Sequence, residues 1–247
     1  MIEVERVSKT YRDGVGKGHV RALEDVSFQV SAGEVFGFLG PNGAGKSTAI
    51  KILLNLIRPN SGSATILGTE VKNPALRRKV GFLPENPFLY DYLSALELLW
   101  FGGRTAGMDR KAINKRGSEL LERVDLQAVA NRHLRTYSKG MVQRVGLALA
   151  LIHDPQVVIL DEPMSGLDPL GRKMVGDVIM ELKSQGKTVF FSSHVLNDVE
   201  RFCDRAAIIV DGRLRLVGAV AELLACGESL EDIFLREVQK AGGGQVV

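Results

Sequence analysis

Three runs of apolar residues carry neither a helical nor an alternating rhythm: Val35-Phe36-Gly37-Phe38-Leu39, Val157-Val158-Ile159-Leu160 and Thr188-Val189-Phe190-Phe191-Ser192. Runs this short and this apolar predict strands buried on both faces, as in a parallel sheet. Val80–Leu83 predicts a further short strand, and Ile2–Val7, Ala22–Val30 and Ala64–Leu67 predict strands flanking the first run in sequence. Ala206–Val210 and Arg213–Val217 flank Asp211-Gly212, a type I′ hairpin signal. Helices are predicted over Ala49–Ile57, Asp109–Val124, Val142–Ile152, Leu170–Lys183 and Ser229–Gln239. Arg58-Pro59 and the turn Asn60-Ser61-Gly62 close the first of them. Ser94-Ala95-Leu96-Glu97 is a capping box starting a helix through Phe101, which Gly102-Gly103 ends. Alternating strands and helices predict an α/β fold. The mostly helical stretch of about 86–136 interrupts that alternation and reads as an inserted helical subdomain. Asp13–Gly18 reads as a mobile loop and Ala241–Gly244 as a frayed tail.

Composition narrows the class of protein. The 247 residues are 45% hydrophobic and 25% charged, ordinary values for a chain able to bury a sizeable core. The net charge is only +3, and Arg77-Arg78-Lys79 is the one tight basic run, which argues for a solvated surface and against a nucleic-acid partner. Cys203 and Cys226 lack metal-ligand spacing and fit a reducing cytoplasm. Met1–Glu5 lacks an apolar signal core, and no window offers the roughly 18 apolar residues of a membrane span, so the expectation is a chain soluble on its own.

The candidate chemistry centres on Gly40-Pro41-Asn42-Gly43-Ala44-Gly45-Lys46-Ser47-Thr48, which fits the phosphate-loop pattern. Its glycines allow positive φ, so backbone N–H groups can line one anion-binding hollow. Lys46 can reach the β- and γ-phosphates, and the Ser47 hydroxyl can bind Mg²⁺. A buried strand before the loop and a helix after it aim a helix N-terminus at a phosphate. Asp161 and Glu162 end another buried strand, where open α/β sheets bind ligands. Asp161 would hold Mg²⁺ through water, and Glu162 would polarise an attacking water. Ser138 is placed to cap the helix after Lys139-Gly140-Met141, either as a simple cap or as a second anion site. His194 follows the last buried run, where it could touch a γ-phosphate. Tyr11 is either a half-buried aromatic at a strand end or a face for adenine to stack on. Pro84–Leu93 is irregular yet aromatic, and either packs under a helix or presents a docking surface.

In this order the pieces resemble the ATPase subunit of ATP-binding-cassette (ABC) transporters over nearly the whole chain. The resemblance implies a P-loop NTPase (RecA-like) core with an antiparallel β-subdomain and the inserted helical subdomain. It makes 1–247 a single ABC ATPase domain, with about 218–247 a C-terminal helical extension. Lys46 matches the Walker A lysine, Asp161 the Walker B aspartate and Glu162 the catalytic glutamate. Ser138-Lys139-Gly140-Met141 falls at the signature, Ser165–Asp168 at the D-loop, His194 at the switch histidine and Tyr11 at the adenine-stacking aromatic. The signature reads Tyr-Ser-Lys-Gly-Met where Leu-Ser-Gly-Gly-Gln is common. Glu85 stands where the family has a glutamine sensing Mg²⁺ and the membrane partner. By this resemblance the chain hydrolyses MgATP as a homodimer, or as a heterodimer with a second ATPase subunit. Each nucleotide is shared between one subunit's phosphate loop and the other's signature. A separate transmembrane permease subunit would hold the protein at the inner face of the cell membrane. The ending Ser229–Leu235 is similar to that of exporter-type subunits, which points to export.

Overall fold

The structure is a computed structural model that describes residues 1–12, 18–225 and 227–242. Residues 13–17 of the loop expected at Asp13–Gly18, Cys226, and residues 243 and 244 of the tail expected at Ala241–Gly244 lie outside the described residues, while Ala241 and Gly242 of that tail continue the last helix. In chain order the elements are β1 (Ile2–Arg12), β2 (His19–Val30), β3 (Val35–Leu39), α1 (Lys46–Leu53), β4 (Ser61–Ile66), β5 (Thr69–Glu70), β6 (Val80–Leu83), α2 (Ala95–Thr105) and α3 (Arg110–Arg123). There follow α4 (Lys139–Leu151), β7 (Val157–Asp161), α5 (Pro169–Ser184), β8 (Thr188–Ser193), α6 (Leu196–Phe202), β9 (Arg205–Val210), β10 (Arg213–Ala219), α7 (Val220–Leu224) and α8 (Leu230–Gly242). The chain forms two compact units, one of Met1–Leu76 with Phe190–Val247 and one of Arg77–Val189.

The first unit holds an antiparallel sheet in the order β2-β1-β4-β5 and a second run of strands in the order β10-β9-β3-β8. β3 pairs parallel with β9, from Phe36 opposite Arg205 to Leu39 opposite Ile208. Alternation along β3 sends Phe36 and Phe38 to one face, where they meet Phe28 of β2 and Phe190 of β8. The four rings pack at centroid separations of 5.3 to 5.9 Å. Each such pair adds about 0.5–1.5 kcal/mol beyond burial, so the cluster ties β2 to the strand that leads into the phosphate loop. On the opposite face Gly37 leaves room for α6: a Cβ there would lie 2.8 Å from Cys203 Sγ and from Val199 Cγ1. Ser61 and Gly62 open β4 instead of making a turn, with Ser61 opposite Ser8 beside an irregularity in β1. The short helix α6 was not expected, and α7 falls within the stretch 218–247 expected to be helical.

In the second unit β6 and β7 pair parallel, Val80 opposite Val157 through Leu83 opposite Leu160. The capping box forms as expected: Ser94 N and Oγ each donate to Glu97 Oε2 at 2.8 Å, and Glu97 N donates to Ser94 Oγ at 3.3 Å. Gly102-Gly103 does not end α2, which continues to Thr105. The glycines mark close approach instead. A Cβ on Gly102 would lie 2.4 Å from Leu149 Cδ1 of α4, and one on Gly103 2.6 Å from Ile113 Cγ1 of α3. Asp109 caps α3 by accepting from Ala112 N at 2.8 Å. Among the described residues no helix is long and apolar enough to cross a membrane.

Candidate functional site

The phosphate loop leaves β3 at Gly40 and enters α1 at Lys46. Ala44 N donates to Pro41 O at 3.2 Å, which closes the loop. Gly43 and Gly45 hold φ of 83° and 108°, and Gly45 is the N-cap of α1. Sterics also exclude side chains: a Cβ on Gly40 would meet Ile209 O at 2.5 Å, and one on Gly45 would meet Ala22 O at 2.4 Å. Gly43 and Asn42 lie instead on the exposed lip, with nothing within 4 Å of a Cβ built on Gly43. No side chain caps α1 and its first turn carries no acid, so its leading N–H groups and positive end are left for an anion. Lys46 is 6% exposed, and its Nζ donates to Gly40 O at 2.6 Å and Pro41 O at 3.4 Å. An ammonium curled over a glycine loop at an uncapped helix start fits a polyphosphate. Ser47 and Thr48 occupy the first turn of α1 and are half-buried.

The loop is braced from the side by a contact that sequence reasoning missed. Gly212, in the β9–β10 turn, donates its N–H to Ala44 O at 3.0 Å and accepts from Glu24 N at 2.8 Å. Asp211-Gly212 was legible as a hairpin turn, since both residues take positive φ, 49° and 72°. Nothing in its spacing ties it to position 44. Tyr11 pairs with Val20 across β1 and β2 and is exposed, with Lys9 Nζ 5.4 Å from its ring centroid. His194 directly follows β8 and is exposed, in the same unit as the phosphate loop.

The second unit carries Asp161 and Glu162 and the segment Ser138–Met141. β7 is buried throughout and delivers Asp161 and Glu162, each 7% exposed, at its C-terminal end. Glu162 holds φ of 49°, a conformation that costs a non-glycine residue of order 1 kcal/mol and that collects at functional sites. The turn after it is set by Ser165 N donating to Glu162 O at 3.1 Å and by Gln143 Nε2 of α4 donating to Pro163 O at 3.4 Å. Glu85 lies two residues past β6, at the same strand-end edge as Asp161, and is exposed.

Ser138 caps α4, its Oγ accepting from Met141 N at 3.3 Å. Tyr137 is buried with its hydroxyl donating to Val129 O at 2.8 Å, a fold reason for tyrosine at that place in the signature, and burial pushes its phenol up. Lys139 lies against the turn after Glu162: a Cβ on Gly166 would be 3.1 Å from Lys139 Cε, and one on Gly140 3.4 Å from Leu167 Cδ2. Asp168 closes that turn as N-cap of α5, accepting from Gly171 N at 2.8 Å. The structure thus brings Ser138–Met141 and Ser165–Asp168 together as one packed piece. In the same unit Phe88, Tyr90, Tyr92, Trp100 and Phe101 are exposed, and Trp100 and Phe101 border an apolar groove of about 520 Å³ that is also lined by Leu93, Leu96 and Ile113.

Residues 23–165 match the family model described as ABC transporter. The chain is 46% identical to an uncharacterized ABC transporter ATP-binding protein of Synechocystis sp., over 98% of this chain and 70% of that one. It is 39% identical to the doxorubicin resistance ATP-binding protein DrrA of Mycobacterium tuberculosis, over 96% of this chain and 72% of that one. Its fold is similar to the dimeric post-hydrolysis structure of an ATP-binding cassette bound to ADP and Pi, with TM-score 0.81, 30% identity, and coverage of 89% of this chain and 99% of that one. With its phosphate loop, its buried Asp161-Glu162 pair and its helix capped by Ser138, the chain belongs to the ABC transporter family and is an ATPase of the P-loop NTPase fold.

Proposed function

We propose that this ATPase drives substrate export through a separate transmembrane permease subunit, and that it works as a homodimer or as a heterodimer with a second ATPase subunit. It sits in the cytoplasm on the inner face of the membrane, held there by the permease. The observation that carries this reading is the packing of the signature start, Ser138–Met141, on the turn that follows Asp161-Glu162. A capped helix start with an exposed serine and no acid in its first turn is an anion site, and it comes in addition to the phosphate loop. In a two-fold dimer the same surface is presented by both chains, so the signature of one can complete the site of the other.

The roles are those the family resemblance implies, and each suits the chemistry of its residue. Gly40–Thr48 wraps the phosphates, and Lys46 supplies a compact positive charge to them. Ser47 and Asp161, with Glu85 at the same strand-end edge as Asp161, offer oxygen donors, the set Mg²⁺ takes together with phosphate oxygens and water. Bound Mg²⁺ would neutralise charge on the transferring phosphoryl group. Glu162 orients the attacking water and draws on its proton, and His194 donates to the γ-phosphate. Tyr11 stacks on adenine, and Asp168 works at the dimer contact. Because phosphoryl transfer needs positioning more than covalent help, dividing the site between two chains makes hydrolysis wait for closure. The exposed aromatics from Phe88 to Phe101 form the surface on which the permease docks. Export is favoured by the likeness to a drug-resistance ATP-binding protein and by the ending Ser229–Leu235.

Mixing two dead variants tests the divided site. Lys46→Ala disables the phosphate loop, and Ser138→Arg sets a bulky cation at the start of α4. Each alone is inactive, since both sites of its dimer carry a lesion. Random pairing of equal amounts makes about half the dimers mixed, each with one whole site. Phosphate release therefore reappears on mixing. A mixture of wild type with the double mutant also carries one whole site per mixed dimer. If that control is active while the complementing mixture stays dead, the divided site is wrong for this protein.

A further inference from the structure

We infer that Lys9 is a positioning residue for nucleotide binding: it holds one face of the Tyr11 ring so that the other face is presented to adenine. This rests on the assignment of Tyr11 to the adenine ring. Lys9 and Tyr11 are two apart in β1 and so project from the same side of the strand. Lys9 Nζ stands over the Tyr11 ring 5.4 Å from its centroid, inside the range of about 6 Å at which a cation is drawn to an aromatic face.

The ammonium is also anchored. It donates to Arg58 O at 2.6 Å. The neighbouring backbone is tied to the same segment, with Thr10 N donating to Asn60 Oδ1 at 2.7 Å and Asn60 N donating to Ser8 O at 2.8 Å. Residues 8–10 are therefore fastened to 58–60, the segment just beyond α1, the helix that begins at Lys46. A cation held in this way covers one ring face and leaves the other for a flat base. Tyr11 is 38% exposed, so without the cation its ring would be shared among several rotamers. Adenine would then meet the right one only part of the time, and apparent affinity falls in proportion to that fraction. An exposed cation–π contact corresponds to roughly a two- to fivefold loss.

The experiment measures dissociation constants of two probes, ATP and inorganic tripolyphosphate, which has the phosphates without the base. The proteins are the full-length wild type, Lys9→Met, Lys9→Arg, Tyr11→Ala and the Lys9→Met/Tyr11→Ala double variant. Methionine keeps the apolar stem and removes the charge, while arginine keeps a cation able to stack on tyrosine. The expected result is that Lys9→Met weakens ATP roughly two- to fivefold and leaves tripolyphosphate unchanged. Lys9→Arg restores ATP binding, and the double variant binds ATP no worse than Tyr11→Ala. An equal loss on both probes overturns the inference, because Lys9 then serves the phosphates or the fold. So does a Lys9→Met loss that persists in the Tyr11→Ala background. If Tyr11→Ala binds ATP like wild type, the adenine assignment fails and takes the inference with it. If Tyr11→Ala weakens ATP and Lys9→Met does not, only the role of Lys9 fails.

Discussion

Gly212→Ala measures how far the β9–β10 turn supports the phosphate loop. Gly212 has φ of 72°, where an alanine costs about 1–2 kcal/mol. Its Cβ would lie 2.8 Å from Ala22 O and 3.0 Å from Ala22 C, which are backbone atoms that cannot swing aside. Relief requires the turn to move away from β2, which stretches the Glu24 N to Gly212 O or Gly212 N to Ala44 O bond. One such bond is worth about 0.5–1.5 kcal/mol. Alanine also lowers the entropy of the unfolded chain, which returns about 0.4–1 kcal/mol. The net loss is about 1–3 kcal/mol. Gly186→Ala is the matched control: φ is 73°, with nothing within 4 Å of the added carbon. It carries the conformational strain without the collision. Urea unfolding of both variants should place Gly212→Ala below Gly186→Ala by about 0.5–1.5 kcal/mol. ATP affinity should fall in Gly212→Ala alone, because only that turn holds Ala44 O. Equal losses in the two variants, or an unchanged ATP affinity in Gly212→Ala, would refute the bracing role.

Glu162→Gln should bind MgATP while hydrolysis drops by about 10²–10⁴-fold, because the amide keeps shape but loses the charge that orients water; wild-type turnover in a purified sample sinks the assignment. Glu85→Gln should shift the Mg²⁺ titration of ATPase activity and leave stability within about 0.5 kcal/mol, as exposed substitutions do; an unchanged titration removes Glu85 from the site. His153 donates through Nε2–H to Val80 O at 3.2 Å, and burial pushes its pKa below the ordinary value of 6.5. The unfolded chain then takes up a proton that the native one does not, so stability is full above pH 6.5 and falls as pH drops towards the lowered value. Urea midpoints at neutral and mildly acidic pH should therefore differ more for wild type than for His153→Gln, and equal differences would show that His153 is not the group responsible.

Strands and caps were the legible part of this fold, because their signals are local. β3, β7 and β8 lie where uninterrupted apolar runs stand, and Ser94 and Ser138 cap the helices they precede. Gly102-Gly103 misled for the opposite reason. Read along the chain, paired glycines break a helix at about 1 kcal/mol each. Their use here depends on Leu149 and Ile113, partners 47 and 10 positions away. The same limit hid Gly212 and Lys9. Each acts on a loop through contacts 168 and 49 residues distant in sequence, to Ala44 and Arg58. Asn-, Gly- and Ser-rich punctuation at 60–62 was read as a turn, whereas pairing with β1 draws Ser61 and Gly62 into β4. Local grammar names the phosphate loop and the carboxylate strand, but what holds them in place is written in pairs of distant residues.

The capped residues of the second unit also show which valences remain once the fold is satisfied. Ser138 Oγ already accepts from Met141 N, so the hydroxyl hydrogen is the group it can still offer outward. An exposed donor at a helix N-terminus calls for an acceptor, and a phosphate oxygen is the strongest such partner. Asp168 is the reverse. Its Oδ1 accepts from Gly171 N, and an ionised carboxylate can only accept further. A second anion next to Asp168 would be repelled, so any partner it took beyond its own turn would be an N–H or O–H donor. The two residues stand on pieces that pack together through Lys139 and Leu167, yet they ask for partners of opposite character. Under the proposed divided site, that difference would suit a surface meeting two things at once: Ser138 a nucleotide's phosphates, and Asp168 a donor on a second subunit. It also explains why Ser138→Arg is the sharper probe than Ser138→Ala. Both variants remove the cap and the outward hydroxyl, at about 1 kcal/mol of stability, but arginine also sets a bulky cation where alanine leaves open space, so its lesion blocks the surface rather than merely emptying it.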